Sequence, residues 1–336
     1  MGGGPGTGPG PGPGPGAGAG AGAGAGTGAG AGAGGGGGIG AGLGAEAFRR
    51  AYPEEYLRRF VARGLRPDGR PLGAGRAASV HPGAAQGADA SALVRVGGTM
   101  ALAGVCLELA AETAAEGAGA AAAGAGALRV AVELAPLSPQ ELRGARAAQA
   151  EGALECRLAG VLGGGAAFDL GQLGAAPGLA RWVISLTVYV LSDDGAILDA
   201  CLLAAVAALA DLRLPTVQAP EGCTLEHLRA AFSKKERPGF VAPERRLTLR
   251  RVPLAFTFGA FGEHLLADPT AEEEALTSSS TTVVTDETGE LVGAFRAGGS
   301  GGALSTATLQ GFVQAAKRRH AELLPLLSLA AQPTGP

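Results

Sequence analysis

Two acidic stretches and one glycine run hold the residues of this chain whose types and spacing could do chemistry. Asp268 and the run Glu272-Glu273-Glu274 close and follow a strand-like segment, Glu263 to Asp268. Carboxylates gathered at a strand end can hold a magnesium ion that polarises a phosphodiester. The same residues also have a local use. Thr270-Ala-Glu-Glu273 spells a capping box, in which the threonine accepts from the helix start and Glu273 reaches back. Glutamates in a first helical turn also face the positive end of the helix dipole. The local use is the preferred reading. Gly298-Gly-Ser-Gly-Gly302 could cradle a phosphate at a helix start. No Gly-Lys-Ser/Thr follows, so a turn is expected there instead. Asp193-Asp194-Gly195 and Asp199 invite a metal, yet a tight turn and a helix N-cap at Asp199 account for them without an ion.

Other catalytic sets are missing from the strip. His81, His227, His264 and His320 stand isolated, with no serine–histidine–acid arrangement. Cys106, Cys156, Cys201 and Cys223 form no C-x-x-C pair. They read as free thiols in a reducing compartment, with Cys106 and Cys201 in the core because they lie inside apolar runs. No metal and no cofactor is expected. Net charge is −3, so any nucleic-acid contact must come from local basic clusters. These are Arg143/Arg146, Lys234/Lys235/Arg237, Arg245/Arg246 and Lys317/Arg318/Arg319. Each taken alone is first of all a solvated face.

The elements that must position these residues can be read in order. Of the 336 residues, 1–44 are almost entirely Gly, Ala and Pro and carry no charge. Such a segment cannot bury enough surface to offset its conformational entropy, so a disordered tail is expected. It lacks the basic start and apolar core of a secretory signal. No apolar run reaches membrane-spanning length. Pro53 to Ala62 is an amphipathic helix with Tyr56, Leu57, Phe60 and Val61 on one side. Gly64 and Pro67 stop it, and Asp68-Gly69 turns the chain. Ser91 to Val96 and Met100 to Leu109 form a hairpin about Gly97-Gly98-Thr99. A Gly/Ala-rich insert, 110–127, precedes a strand from Leu128 to Leu134 and a helix from about Gln140 to Leu162.

Arg181 to Leu191 is the strongest strand, turned by Ser192 to Gly195, with Ala196 to Leu198 expected to pair back. A helix nearly apolar all round follows from Asp199 to about Asp211, as a central buried helix would be. Strands are expected at Arg246 to Arg251, Val252 to Phe258 and Glu263 to Asp268. A hairpin of Thr281 to Asp286 and Glu290 to Phe295 comes next, then a last helix from about Leu304 to Leu327. That helix puts Leu309, Phe312, Val313, Ala316 and His320 at core spacing. Strand groups alternating with helices, twice over, suggest an α/β (α+β) sandwich of two similar halves, 48–215 and 216–330.

Three groups of residues carry a resemblance. Arg66-Pro-Asp-Gly-Arg70 stands behind the amphipathic helix, followed by Ser91-Ala-Leu-Val-Arg-Val-Gly-Gly-Thr99. Val188 to Leu209 holds a strand, the Asp194-Gly-Ala-Ile-Leu-Asp-Ala200 turn and an apolar helix. Leu266-Ala-Asp-Pro-Thr-Ala-Glu-Glu-Glu274 and Gly298-Gly-Ser-Gly301 complete the set. Together these resemble the RNase PH-like ring subunits of the RNA exosome core. Tyr56-Leu-Arg-Arg-Phe60 is most similar to the non-catalytic member of the ribosomal RNA-processing 43 type. The resemblance covers about Pro53 to Leu327, except the insert and the stretch from Phe168 to Ala180. It implies the RNase PH fold, two βαβα-like halves with sheets packed around central helices.

The resemblance also implies a structural and RNA-channel role in 3′→5′ RNA processing and degradation, including rRNA maturation and mRNA turnover. Partners would be RNA, other RNase PH-like subunits in a six-membered ring, and cap proteins with oligonucleotide-binding and KH folds. No membrane partner is implied, and the location would be nucleus, nucleolus and cytoplasm. Active members carry a Gly-Thr-Arg-like phosphate element where this chain has Pro136 to Arg146, so a catalytically silent subunit is expected. Arg143 and Arg146 would line the channel first, and Lys234 and Lys235 second. Two rivals stand: an active phosphorolytic exoribonuclease working through Asp268 and Glu274, and a different ring member of the 42 or 45 type.

Overall fold

The computed structural model describes residues 1–2, 45–111, 128–135, 145–163, 165–176, 179–217, 222–232, 240–298 and 306–330. The tail and insert expectations therefore lie outside the described residues, apart from the ends of each. The chain enters through two short helices, α1 (Ala45–Ala51) and α2 (Pro53–Val61). Leu57 and Val61 of α2 are buried as its apolar stripe requires. They pack on Phe261 and Leu266 of the second half, so the N-terminal helix straps the far end of the chain.

A six-stranded sheet follows. It contains β1 (Ala78–Pro82), β2 (Ala90–Val96), β3 (Thr99–Ala111), β4 (Leu128–Leu134), β5 (Gly174–Ala176) and β6 (Ala180–Ser192). Its order is β1-β2-β3-β6-β4, with β5 added on β6. The β2–β3 hairpin turns where expected, and β6 runs antiparallel to β3 over its whole length. β4 is parallel to β6. Its outer edge is closed by α3 (Ala145–Leu162): Glu155 accepts from Val132 N and Glu151 from Leu134 N, both at 3.0 Å. Two glutamates one helical turn apart thus satisfy the amides that an edge strand leaves open.

The centre of the molecule is α4 (Ile197–Asp211), where every residue from Ala200 to Leu209 is buried. It packs on β2 and β3 from one side and on β9 (Leu254–Phe261) from the other. β9 belongs to a four-stranded sheet with β10 (His264–Ala267), β11 (Ser279–Thr285) and β12 (Leu291–Ala297), in the order β10-β9-β11-β12. A third, two-stranded ribbon joins β7 (Arg213–Val217) and β8 (Phe240–Arg246). Three further helices lie among the described residues: α5 (Leu225–Phe232), α6 (Ala271–Leu276) and α7 (Thr306–Ala330). On α7, Phe312, Ala316 and His320 are buried, and Phe312 stacks on Phe258 at 4.6 Å.

Several expectations fail locally. Ala196 to Leu198 do not pair back. Ala196 takes a left-handed φ of 50° and α4 starts at Ile197, because the turn delivers the chain straight into the core. Asp199 is consequently a first-turn residue and not the N-cap. Strands expected at Arg246–Arg251 and Val252–Phe258 are displaced to β8 and β9, with an irregular link between them. Cys201 is buried, but Cys106 is exposed, since it sits on the outward face of β3. Period-2 alternation sends every second residue of a strand away from the core, whatever its polarity.

Candidate functional site

The acidic residues of Asp268 to Glu274 meet two arginines at the junction of the halves. Asp268 lies just past β10 with φ 49°, and Asp is among the few side chains that tolerate that region. Its Oδ2 accepts from Arg76 N at 2.6 Å. Its Oδ1 accepts from Arg76 Nε at 3.0 Å and Nη2 at 2.6 Å. Three of roughly four acceptor positions of this carboxylate are thereby taken. Arg76 also donates to the carbonyls of Asp194 and Gly195. Burial works against its charge, but the hydrogen bonds and charge of Asp268 outweigh that and hold its pKa above the ordinary value.

Two glycines make this approach possible. A Cβ on Gly97 would lie 2.3 Å from Arg76 Cδ, and one on Gly195 2.6 Å from Pro269 O. Thr99 completes the turn by donating to Gly195 O at 2.7 Å and accepting from Asp194 N at 3.1 Å.

Arg66 occupies the adjoining position and is 1% exposed. It forms a two-pronged ion pair with Glu273 and donates to Ala267 O at 2.6 Å and Asp268 O at 3.1 Å. Glu273 simultaneously accepts from Thr270 N at 2.9 Å, and Thr270 Oγ1 accepts from Glu273 N, so the expected capping box is present. Glu274 accepts from Ala196 N at 2.9 Å, and burial pushes its carboxyl pKa up. Glu272 points outward and pairs with Arg49. Each glutamate of the run has a separate structural partner.

Asp199 lies behind this cluster. It accepts from Thr257 N at 2.8 Å and Thr257 Oγ1 at 2.7 Å. Burial, and then the charge on Asp268, push its pKa up to about 7. Beside it is a cavity of about 40 Å³, also lined by Asp268, Thr257, Phe256 and Arg319. That space suits one or two waters and is far below the roughly 300–1,000 Å³ of small-molecule sites. The arrangement ties three chain segments together, and its charged groups face one another.

Asp268 and Glu274 are therefore brought to one place. Of the RNA candidates, Arg143, Lys234 and Lys235 lie outside the described residues. Arg146 stands in the first turn of α3, and its side chain is likewise outside the description. Of the glycine run, Gly298 is described and has the positive φ, 81°, of a turn. Arg66 and Arg76 are the site residues that sequence reasoning passed over. Arg66 opened the quoted Arg-Pro-Asp-Gly-Arg segment, but its partner is 207 positions away.

A family model described as "3′ exoribonuclease family, domain 1" matches residues 74–215, and domain 2 of the same family matches 251–319. The exosome complex component Rrp42 of Sulfurisphaera tokodaii is 34% identical over 244 residues, covering 71% of this chain and 81% of that protein. The Rrp42 component of Pyrococcus horikoshii is 27% identical over 290 residues, covering 84% and 95%. Among solved structures, the Archaeoglobus fulgidus exosome with RNA bound to the active site aligns with TM-score 0.65 at 22% identity, over 81% of this chain and 96% of that one. An archaeal exosome core aligns with TM-score 0.63 at 21% identity, over 82% and 96%. The chain belongs to the 3′ exoribonuclease, or RNase PH, family, and its two sheets around α4 are the RNase PH fold.

Proposed function

We propose that this chain is a structural, RNA-channel subunit of an exosome core, without a phosphorolytic site of its own. The observation that carries the silent reading is the commitment of Asp268 to Arg76. A carboxylate locked by a buried guanidinium cannot also serve a metal or a proton transfer unless that bond network breaks. The exosome reading is supported by relatives named as exosome complex components. Its ring position would be that of the 43 type, as the Tyr56-Leu-Arg-Arg-Phe60 text suggests. Its neighbours would be RNase PH-like subunits, with cap proteins above them and RNA in the channel near Arg143, Arg146, Lys234 and Lys235. The two halves would divide near residue 215, and the protein would work in nucleus, nucleolus and cytoplasm.

Co-expression with candidate RNase PH-like partners, followed by mass measurement of the purified assembly, tests this role. A ring of six containing this chain is expected. A chain that stays monomeric with every such partner would contradict it.

A further inference from the structure

On the six-stranded sheet, the side chains that face away from α4 form a row whose chemistry mirrors itself about the middle strand. Residues in register run His81 (β1), Leu93 (β2), Leu102 (β3), Tyr189 (β6) and Glu133 (β4). Partners in register project to one face, and residues next to them in sequence project to the other. Val94, Ala101, Ala103 and Val188 are buried in the core, which sends this row outward. His81 and Glu133 are exposed, Leu93 and Leu102 are half-buried, and Tyr189 is 39% exposed. The next row, towards the β2–β3 turn, adds Met100 and, at the irregularity in β6, the exposed Leu191.

A contiguous apolar strip with polar ends differs from scattered surface leucines, and its order decides what fits it. A twofold axis laid along β3 through Leu102 exchanges the two ends of the row. Leu102 then meets Leu102 of a second copy, and Leu93 meets Tyr189. His81 meets Glu133, whose carboxylate can accept from the imidazole. Such self-complementarity is what a contact between identical patches requires. Sheets commonly stack face to face about 10 Å apart with their strands turned by about 30°. That turn offsets the ends of the row by only about 5 Å, because they lie two strand spacings from the axis. A glutamate side chain spans that offset.

We propose that this sheet face binds a second copy of the chain, giving a face-to-face dimer with Leu102 on its axis. Five strands and three residue rows make a face of roughly 20 by 20 Å, on the order of 400 Å² per copy. Contacts of that size are transient, so the dimer is reversible and concentration-dependent. It concerns the chain on its own and stands apart from the ring reading.

Sedimentation velocity of the purified full-length chain, from about 1 to about 300 µM, provides the test. The average mass should climb from one chain towards two, with a midpoint on the order of 100 µM. Leu102→Lys sets two ammonium groups against each other on the axis and should weaken pairing by about tenfold or more. His81→Glu opposes Glu133 of the second copy and should weaken it by about three- to tenfold. H81E/E133K brings opposite charges together again and should restore most of the affinity. That rescue distinguishes a contact between copies from a loss of folding, and urea midpoints confirm that each variant is folded. A wild-type chain that stays monomeric at every concentration overturns the proposal. So does a dimer that Leu102→Lys leaves equally tight, because its interface then lies elsewhere. A double variant that pairs no better than His81→Glu overturns the twofold arrangement and the proposal with it.

Discussion

Asp268 and Arg76, 192 positions apart, are joined by three hydrogen bonds that use the backbone amide and the guanidinium of the same arginine. The contact pins the loop before β1 to the second sheet, and through Gly195 it also fixes the entry to α4.

Arg76→Met should destabilise the fold by about 3 kcal/mol, since it strands a largely buried carboxylate. Asp268→Asn should cost less, because asparagine tolerates a left-handed φ and its side-chain oxygen can still accept from Arg76 N. Asp268→Val should cost more than either asparagine or alanine there, as a β-branched side chain strains at that φ. Urea unfolding of the series gives the ranking. Equal costs for Asn and Val would show that backbone conformation at this position is not what matters.

Asp199 gives the fold a pH dependence whose sign can be worked out. Burial raises its carboxyl pKa to about 7 in the folded chain from the ordinary aspartate value of 3.8. Between those values the folded state binds a proton that the unfolded state has released. Stability should therefore fall as pH rises from about 4 to about 7, by something on the order of 4 kcal/mol from this group. Burial raises Asp193 and Glu274 in the same direction. His320 acts oppositely: burial lowers its pKa, so its protonation at acid pH favours unfolding. Asp199→Asn should flatten the slope between about pH 4 and 7, measured by urea midpoints. A variant with the wild-type slope would remove Asp199 from the account.

Glu151 and Glu155 should protect the edge of β4. Hydrogen bonds to charged acceptors contribute about 1.5–3 kcal/mol each. Glu155→Ala should accelerate amide exchange at Val132, and Glu151→Ala at Leu134, with the amides of β3 unaffected. Unchanged exchange at both amides would mean that the contacts with α3 are not holding this edge.

Much of this architecture can be read from local pattern. The period-2 run through Val183 to Val190, the all-apolar α4, the Tyr56–Val61 stripe and the Thr270–Glu273 box each depend on neighbours in sequence. The failures depend on distant ones. Nothing near Arg66 or Arg76 announces Glu273 or Asp268, and a buried arginine looks like a surface arginine until its carboxylate is located. Ala196 carries no turn signal, and the acceptor that holds its amide in the left-handed turn, Glu274, lies 78 positions away. Cys106 was misplaced because an apolar run hides which face of β3 each residue takes. The strand expected at Arg246–Arg251 falls instead at β8, because Pro243 within β8 and Pro215 within its partner β7 each demote a strand when judged alone.

The most direct test of the central claim is phosphorolysis. The purified wild-type chain, alone and assembled with ring partners lacking their own activity, would be incubated with oligoadenylate, inorganic phosphate and magnesium. Released nucleoside diphosphate would be quantified. A chain whose Asp268 is committed to Arg76 should release none above background. Steady release abolished by Asp268→Asn would instead make this carboxylate catalytic and contradict the scaffold reading.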